Sequence, residues 1–474
     1  ELKALHAHPD FKGEIDKEAL ALYTRYNCVP APHTIYQNVW QMTPGHMLSL
    51  DVGSLNSGAK LSGKMKCYWS AADSLKRSKP FEGSENDIIA SFEAVLIDCV
   101  KDRLISDVPL GAFLSGGIDS STVVALMQKI SSKPVHTYTI GFKEVGFDEA
   151  VYARDVAKHL GTDHHEHYCS AQDALDVIPM LPDMYDEPFA DQSAIPTYLV
   201  SKFARKDVTV ALSGDGGDEM LGGYSRHVSG PKILNTMRPI PGFARKAMSA
   251  GINALSIEQW QALCPKKPLF GKHMHKAASI LSMETQEDIY TRLTSQWESL
   301  PVLAHADAKF DESFLPRIEG VEFAEQIMLW DTMTYLPNDI LTKVDRASMA
   351  VSLEARAPLL DRRIYDFVWG LPTDVKIRKG KGKWLLREVL SRHIPRNLFE
   401  RPKQGFAMPI DQWLRHDLRE WAEDLLDHKT IESQGLFDAD MITRAWQSHL
   451  QGRGNYAEPL WNTLMFQAWH RRWQ

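Results

Sequence analysis

Twice in this sequence a short apolar run ends in a serine-led, glycine-rich turn: VPLGAFL then SGGIDSS over 108–121, and VTVAL then SGDGGDE over 208–219. That recurrence constrains the fold more than any other feature. Further strand-like runs stand at 135–142 (VHTYTIGF) and 164–170 (HHEHYCS), and helix-like DEAVYARDVAKHLG (148–161) lies between them. Strands alternating with helices predict an α/β fold with a parallel sheet and flanking helices. Ligands of such sheets sit outside the carboxyl ends of the strands, and both glycine turns fall at such ends.

The first turn reads as an anion cradle. Gly116 and Gly117 let backbone N–H groups converge, and Asp119, Ser120 and Ser121 open a helix whose first N–H groups have no internal partner. Phosphate is the obvious anion. The loop has no lysine of the GxxxxGK[ST] kind, and Asp119 would repel a bare phosphate unless a cation intervenes, which implies Mg²⁺. In the second turn, Asp215, Asp218 and Glu219 put three carboxylates within five residues. Such a density is costly unless a cation or an ammonium group neutralises it, and a magnesium ion shared by Asp119 and Asp218 with nucleotide phosphates would do so.

Composition excludes several classes. The chain has 474 residues, 44% of them hydrophobic, enough for two or three domains and a large core. A net charge of −7, with basic residues spread along the chain, leaves no footprint for a nucleic acid. Five cysteines occur singly, without CxxC or metal-ligand spacing, and read as reduced thiols of a cytoplasmic protein. No apolar run approaches a membrane span, and ELKALHAHPDF is not a signal peptide.

Three regions are expected. Residues 1–82 read as connecting material, 83–234 as the α/β core, and 235–474 as a mainly helical continuation. A helix is predicted to open at Ser84, with Asp87 as capping-box partner and Ile88, Phe92, Leu96, Val100 and Leu104 on one face.

SGGIDSS resembles the pyrophosphate loop of ATP pyrophosphatases that adenylate their substrates, whose fold is the adenine nucleotide alpha-hydrolase-like one. Together with SGDGGDEMLGGY (213–224), LPNDILTKVDRASMAVSLEARAPLLD (336–361) and RPKQGFAMPIDQWL (401–414), it resembles bacterial glutamine-dependent asparagine synthetases over nearly the whole chain. The resemblance implies ATP and Mg²⁺, aspartate, and ammonia or glutamine as nitrogen source. It implies β-aspartyl-AMP formation with release of pyrophosphate, then amide formation with release of AMP. Residues 1–82 would then be the tail of a glutaminase domain plus linker, and a homodimer is left open.

By the same resemblance, Leu114, Ser115, Gly116, Gly117, Asp119, Ser120, Ser121, Ile140, Ser213 and Gly214 would hold ATP or its pyrophosphate. Asp119 and Asp218 would hold the metal. Asp215, one methylene shorter than the glutamate of many relatives, and Lys403 would be catalytic. Asp191 and Ser193 are candidates for substrate contacts, whereas Glu354 and Arg356 are read as scaffold. Two alternatives stay open: an adenylating enzyme acting on another carboxylate (a surface-polysaccharide sugar, or a β-lactam or lasso-type cyclisation), and a nucleotide-binding partner protein without catalysis.

Overall fold

Buried strands need residues that fit a pleated, enclosed surface, and HTYTIGF is such a run: six of its seven residues, Thr137–Phe142, are buried. The computed structural model describes residues 1–50, 65–142, 149–255, 257–264, 270–303, 305, 308–309, 314–401 and 408–474. Its strands are β1 (His46–Leu48), β2 (Met65–Cys67), β3 (Leu110–Phe113), β4 (His136–Phe142), β5 (Asp163–Cys169), β6 (Val210–Leu212) and β7 (Glu354–Arg356). β1 and β2 form an antiparallel pair, while the other five form one sheet in the order β5-β4-β3-β6-β7 with every pairing parallel.

The order carries the functional consequence. From β3 the chain builds outward through β4 to β5, then returns to lay β6 on the other side of β3. The strand order therefore reverses between β3 and β6, and a crevice opens at their carboxyl ends. Both glycine turns leave from that point. The four strands expected from sequence are present, and β7 is a fifth that sequence did not suggest. Three residues between a helix and Pro358 show no alternation to read.

Local signals explain the helices that position the crevice. Helix α1 (Lys17–Tyr26) is capped by Asp16 and buried at seven of its ten residues, although it lies in the stretch expected as connecting material. Tyr23 Oη donates to the Asn462 carbonyl at 2.6 Å, tying α1 to the C-terminal helix Ala457–Trp473. Helix α2 (Glu85–Arg103) opens with the predicted capping box: the Asp87 amide donates to Ser84 Oγ, and the Ser84 amide donates back to Asp87. Ile88, Phe92, Leu96 and Val100 are buried on its inner face. Burying a side chain such as Phe92 contributes about 2 kcal/mol.

Helix α3 (Ile118–Ile130) follows β3, α4 (Ala150–Leu160) follows β4, and α5 (Ala194–Ala204) packs over β4. Beyond them come α6 (Ser225–Met237), α7 (Phe323–Met333), a π-helical turn over Leu336–Leu341, α8 (Thr342–Met349) and α9 (Trp384–Leu390). The five cysteines carry free thiols. No described helix is long and apolar enough to cross a membrane.

Candidate active site

The first turn keeps its shape through its own side chains. Leu114 N still donates to the Tyr138 carbonyl at 3.0 Å, ending the β3–β4 ladder. Ser115 Oγ then accepts from the Gly117 amide at 3.2 Å and pairs with Ser120 Oγ at 3.0 Å. Gly116 has φ +70°, and a Cβ there would lie 2.8 Å from the Tyr152 backbone, so only glycine fits. Gly117 caps α3 without a side-chain acceptor, which leaves the first-turn N–H groups available to an anion.

The second turn begins where Ser213 N donates to the Arg356 carbonyl of β7 at 2.8 Å. A Cβ on Gly214 would stand 2.7 Å from Ser120 N. The two loops are thus in direct backbone contact across the switch point.

A lysine that sequence reasoning did not single out lies between them. Lys383 Nζ bonds Asp119 Oδ2 and lies 2.7 Å from Asp218 Oδ1, with only 6% of its side chain exposed. Its amide also donates to the Leu221 carbonyl at 2.7 Å, and its φ of +59° aims the chain from the 380–382 turn into α9. Burial opposes the ammonium charge, but the Asp119 and Asp218 carboxylates outweigh it and hold Lys383 above the ordinary lysine range. The cation expected between these acids is, in the protein itself, an ammonium group.

Beside the loops lies a second buried charge cluster. Lys343 Nζ, on α8, bonds Asp191 Oδ2 at 2.7 Å. Asp191 Oδ1 accepts from the Ser193 amide at 2.8 Å and hydroxyl at 2.7 Å. Burial pushes the Asp191 carboxyl up, yet Lys343, Asp339 and Ser193 together hold it well below the usual carboxylate range. Asp339 behaves oppositely: burial first, and then the Asp191 charge, raise it far above the usual range. The proton is thus favoured on Asp339, and the charge on Asp191 and Lys343. Asp215 is also raised, chiefly by burial, with Lys343 opposing. Glu219, buried and bonded by Tyr224 Oη at 2.6 Å, is pushed up to about 7 by burial and by Asp218.

All of this opens on one cavity of about 720 Å³. Leu114, Ser115, Gly116, Gly117, Asp119, Ser120, Asp191, Ser193, Ser213, Gly214, Asp215 and Asp218 line it. Ser121 and Ile140 do not: both are buried behind the wall, and Thr139 lines it in place of Ile140. Lys403 lies outside the described residues. Its neighbour Arg401 lines the cavity, donates to the Ser115 carbonyl at 3.2 Å and stacks 3.9 Å over the Tyr152 ring. Glu354 and Arg356 are away from it. Arg356 bonds Glu354 at 2.7 Å and the carbonyls of Arg103 and Ile105 at 3.0 and 2.7 Å, a scaffold contact between β7 and the end of α2.

Sequence reasoning also did not single out Lys343 and Asp339; the signal was a lysine four residues after an aspartate, the spacing that puts two helical side chains in reach. Lys383 carried only a weaker sign, three lysines alternating with two glycines (379–383) ahead of an apolar helix.

Residues 91–471 match the family description Asparagine synthase. The chain belongs to the asparagine synthase family. A second description, Glutamine amidotransferase domain, matches residues 1–62. The chain is 29% identical over 465 residues to asparagine synthetase (glutamine-hydrolyzing) 1 of Bacillus subtilis (strain 168), covering 96% of this chain and 69% of that protein. It is 30% identical over 468 residues to a putative asparagine synthetase (glutamine-hydrolyzing) of Mycobacterium bovis, covering 97% and 68%. More distantly, it is 24% identical over 465 residues to amidase chry2 of Gibberella zeae, covering 90% and 66%. Membership of this family makes the chain a carbon–nitrogen ligase of ATP-dependent amidation.

Proposed function

We propose that this ligase converts aspartate to asparagine through β-aspartyl-AMP, releasing pyrophosphate and then AMP, with ammonia as the attacking nucleophile. The observation that carries the reading is the meeting of two glycine loops, a lysine-bridged pair of carboxylates and the Asp191–Lys343 cluster in one cavity. An adenylating amidase must cradle a leaving pyrophosphate and hold a charged acid beside it, and this cavity offers a group for each task.

In the first half-reaction the substrate carboxylate attacks the α-phosphorus and the bond to pyrophosphate breaks. The first turn of α3, which has no side-chain cap, and the Ser115 and Ser120 hydroxyls receive the leaving group, with Ser121 buried behind them, and Lys383 and Lys403 offset its charge. Leu114, Ser213 and Gly214 form the nucleoside wall, with Ile140 behind it. Asp119 and Asp218, hard carboxylates on facing loops that each give one oxygen to Lys383, would hold magnesium through their other oxygens. When bound with ATP it would spread the charge of the departing pyrophosphate.

In the second half-reaction ammonia attacks the acyl carbon, AMP departs, and the nitrogen loses a proton. Asp215 is suited to take it, because its raised affinity for protons makes it a stronger base than an exposed carboxylate. The Asp191–Lys343 pair and Ser193 hold opposite charges ready for the amino and carboxylate groups of an amino acid.

The test is pyrophosphate release from a panel of carboxylic acids with ATP, magnesium and ammonium. Aspartate should lead the panel and yield one asparagine per pyrophosphate. Turnover with another acid and none with aspartate would reject the substrate and leave the adenylation chemistry standing.

A further inference from the structure

We infer that the outer end of the β4–β5 pair is a binding site for one divalent transition-metal ion, zinc being the best match, held by His136, Asp163 and His165. None of the three lines the ATP cavity. Strand register brings them together: His136 lies opposite Asp163, and Tyr138 opposite His165. Side chains two apart share a face of a strand, so His136, Asp163 and His165 occupy three of the four positions of one cross-strand block, and Tyr138 the fourth.

The geometry suits a single ion. One oxygen, Asp163 Oδ2, faces both rings, 2.9 Å from His136 Nδ1 and 3.5 Å from His165 Nε2. All three ligand atoms lie within 4.8 Å of one another. Bonds of about 2.0–2.2 Å in a tetrahedron put ligand atoms roughly 3.3 Å apart, so displacements below about 1 Å close the set. His165 Nε2 is buried and has no hydrogen-bond partner, although it points toward that carboxylate. An ion would satisfy this nitrogen.

The rings are also held in place. His165 stacks on Tyr138 at 5.1 Å with the planes 15° apart, and Phe203 of α5 meets Tyr138 edge-on at 5.8 Å. A site carried on packed strands keeps its geometry better than one on a loop. Two imidazoles and one carboxylate, all at least partly exposed, form a three-ligand set that zinc accepts, while nitrogen donors disfavour magnesium and calcium.

β5 is one of the two edge strands of the sheet, so the bound ion would clamp that edge to β4. Zinc should therefore raise the melting temperature of the full chain, because a ligand bound only by the folded state stabilises it.

The experiment uses the untagged, chelator-stripped chain titrated calorimetrically with zinc sulfate, and with cobalt(II) followed by its visible absorption. One ion per chain, a cobalt band of tetrahedral intensity and a zinc-dependent rise in melting temperature are expected. All three should disappear in His136→Ala/His165→Ala and persist in Asp119→Asn/Asp218→Asn, which alters the ATP loops instead. Asp163→Asn, the milder change, should weaken binding more than about tenfold. Unchanged zinc affinity and cobalt spectrum in the double histidine variant, or no zinc binding by the parent chain, would overturn the assignment.

Discussion

Replacing Lys383 with methionine keeps the length of the side chain and removes the ammonium between Asp119 and Asp218. Breaking one partner of a buried ion pair costs about 3–5 kcal/mol. The lysine is 6% exposed but the two aspartates are 18% and 21% exposed, so solvent relieves part of the penalty and the lower figure, about 3 kcal/mol, applies. That is a factor of roughly 150 in the unfolding equilibrium. If the 474 residues unfold together, an unfolding entropy of about 2.1 cal/mol/K per residue turns it into a fall of about 3 °C in melting temperature.

The pair also predicts its own pH behaviour. The folded-state pKa of Lys383 is raised, so its contribution is complete below the unfolded lysine value and fades only as pH rises through the higher folded one. From about pH 6 to 9 the gap between parent and variant should therefore stay level. Magnesium should stabilise Lys383→Met more than the parent, because the variant leaves two facing carboxylates to be neutralised. In a double-mutant cycle with Asp218→Asn, the second change should cost less in the methionine background, with a coupling of about 1 kcal/mol or more. Melting curves by calorimetry, with and without magnesium, supply every number. Equal melting temperatures in parent and variant, or strictly additive effects in the cycle, would refute the account of Lys383 as the counter-charge.

Asp215→Asn should still release pyrophosphate while amide production falls, lifting the ratio of pyrophosphate to amide above one; a normal ratio at normal turnover would remove Asp215 from the mechanism. Lys403→Ala should lower kcat by about a hundredfold with the KM for ATP nearly constant, since an interaction made mainly in the transition state is lost; steady-state kinetics on both substrates decides it. Lys343→Met should raise the KM for the acid substrate far more than that for ATP, because Asp191 loses its counter-charge; equal effects on both would mean a general loss of the fold. Burial, and then the adjacent Asp186, raise Glu187 from 4.5 to about 8, where it accepts from Ile35 N at 2.7 Å. Its folded state favours the proton, so its own contribution to stability is fullest below pH 4.5 and declines as pH climbs to about 8. Glu187→Gln should flatten that decline and raise the melting temperature at about pH 9, with little change at about pH 5; a parallel decline in the variant would assign the pH dependence to another group.

Sequence by itself determined the α/β core and the two loops, because both rest on local physics. Apolar runs of the right length, a capping box at Ser84 and glycines clustered straight after a strand are properties of a few adjacent residues. Asp119, Asp215 and Asp218 were legible for the same reason, since carboxylates crowded into a short turn announce a charge problem wherever the turn lies. What solves that problem was not local. Lys383 stands 264 residues from Asp119 and Lys343 stands 152 from Asp191, and no periodicity links positions so far apart. β7 was invisible too, as three residues become a strand only when β6 offers them an edge. Tertiary structure decided which ammonium meets which carboxylate, because that pairing depends on the order in which five strands assemble, and strand order is a contest among distant contacts that no single segment records.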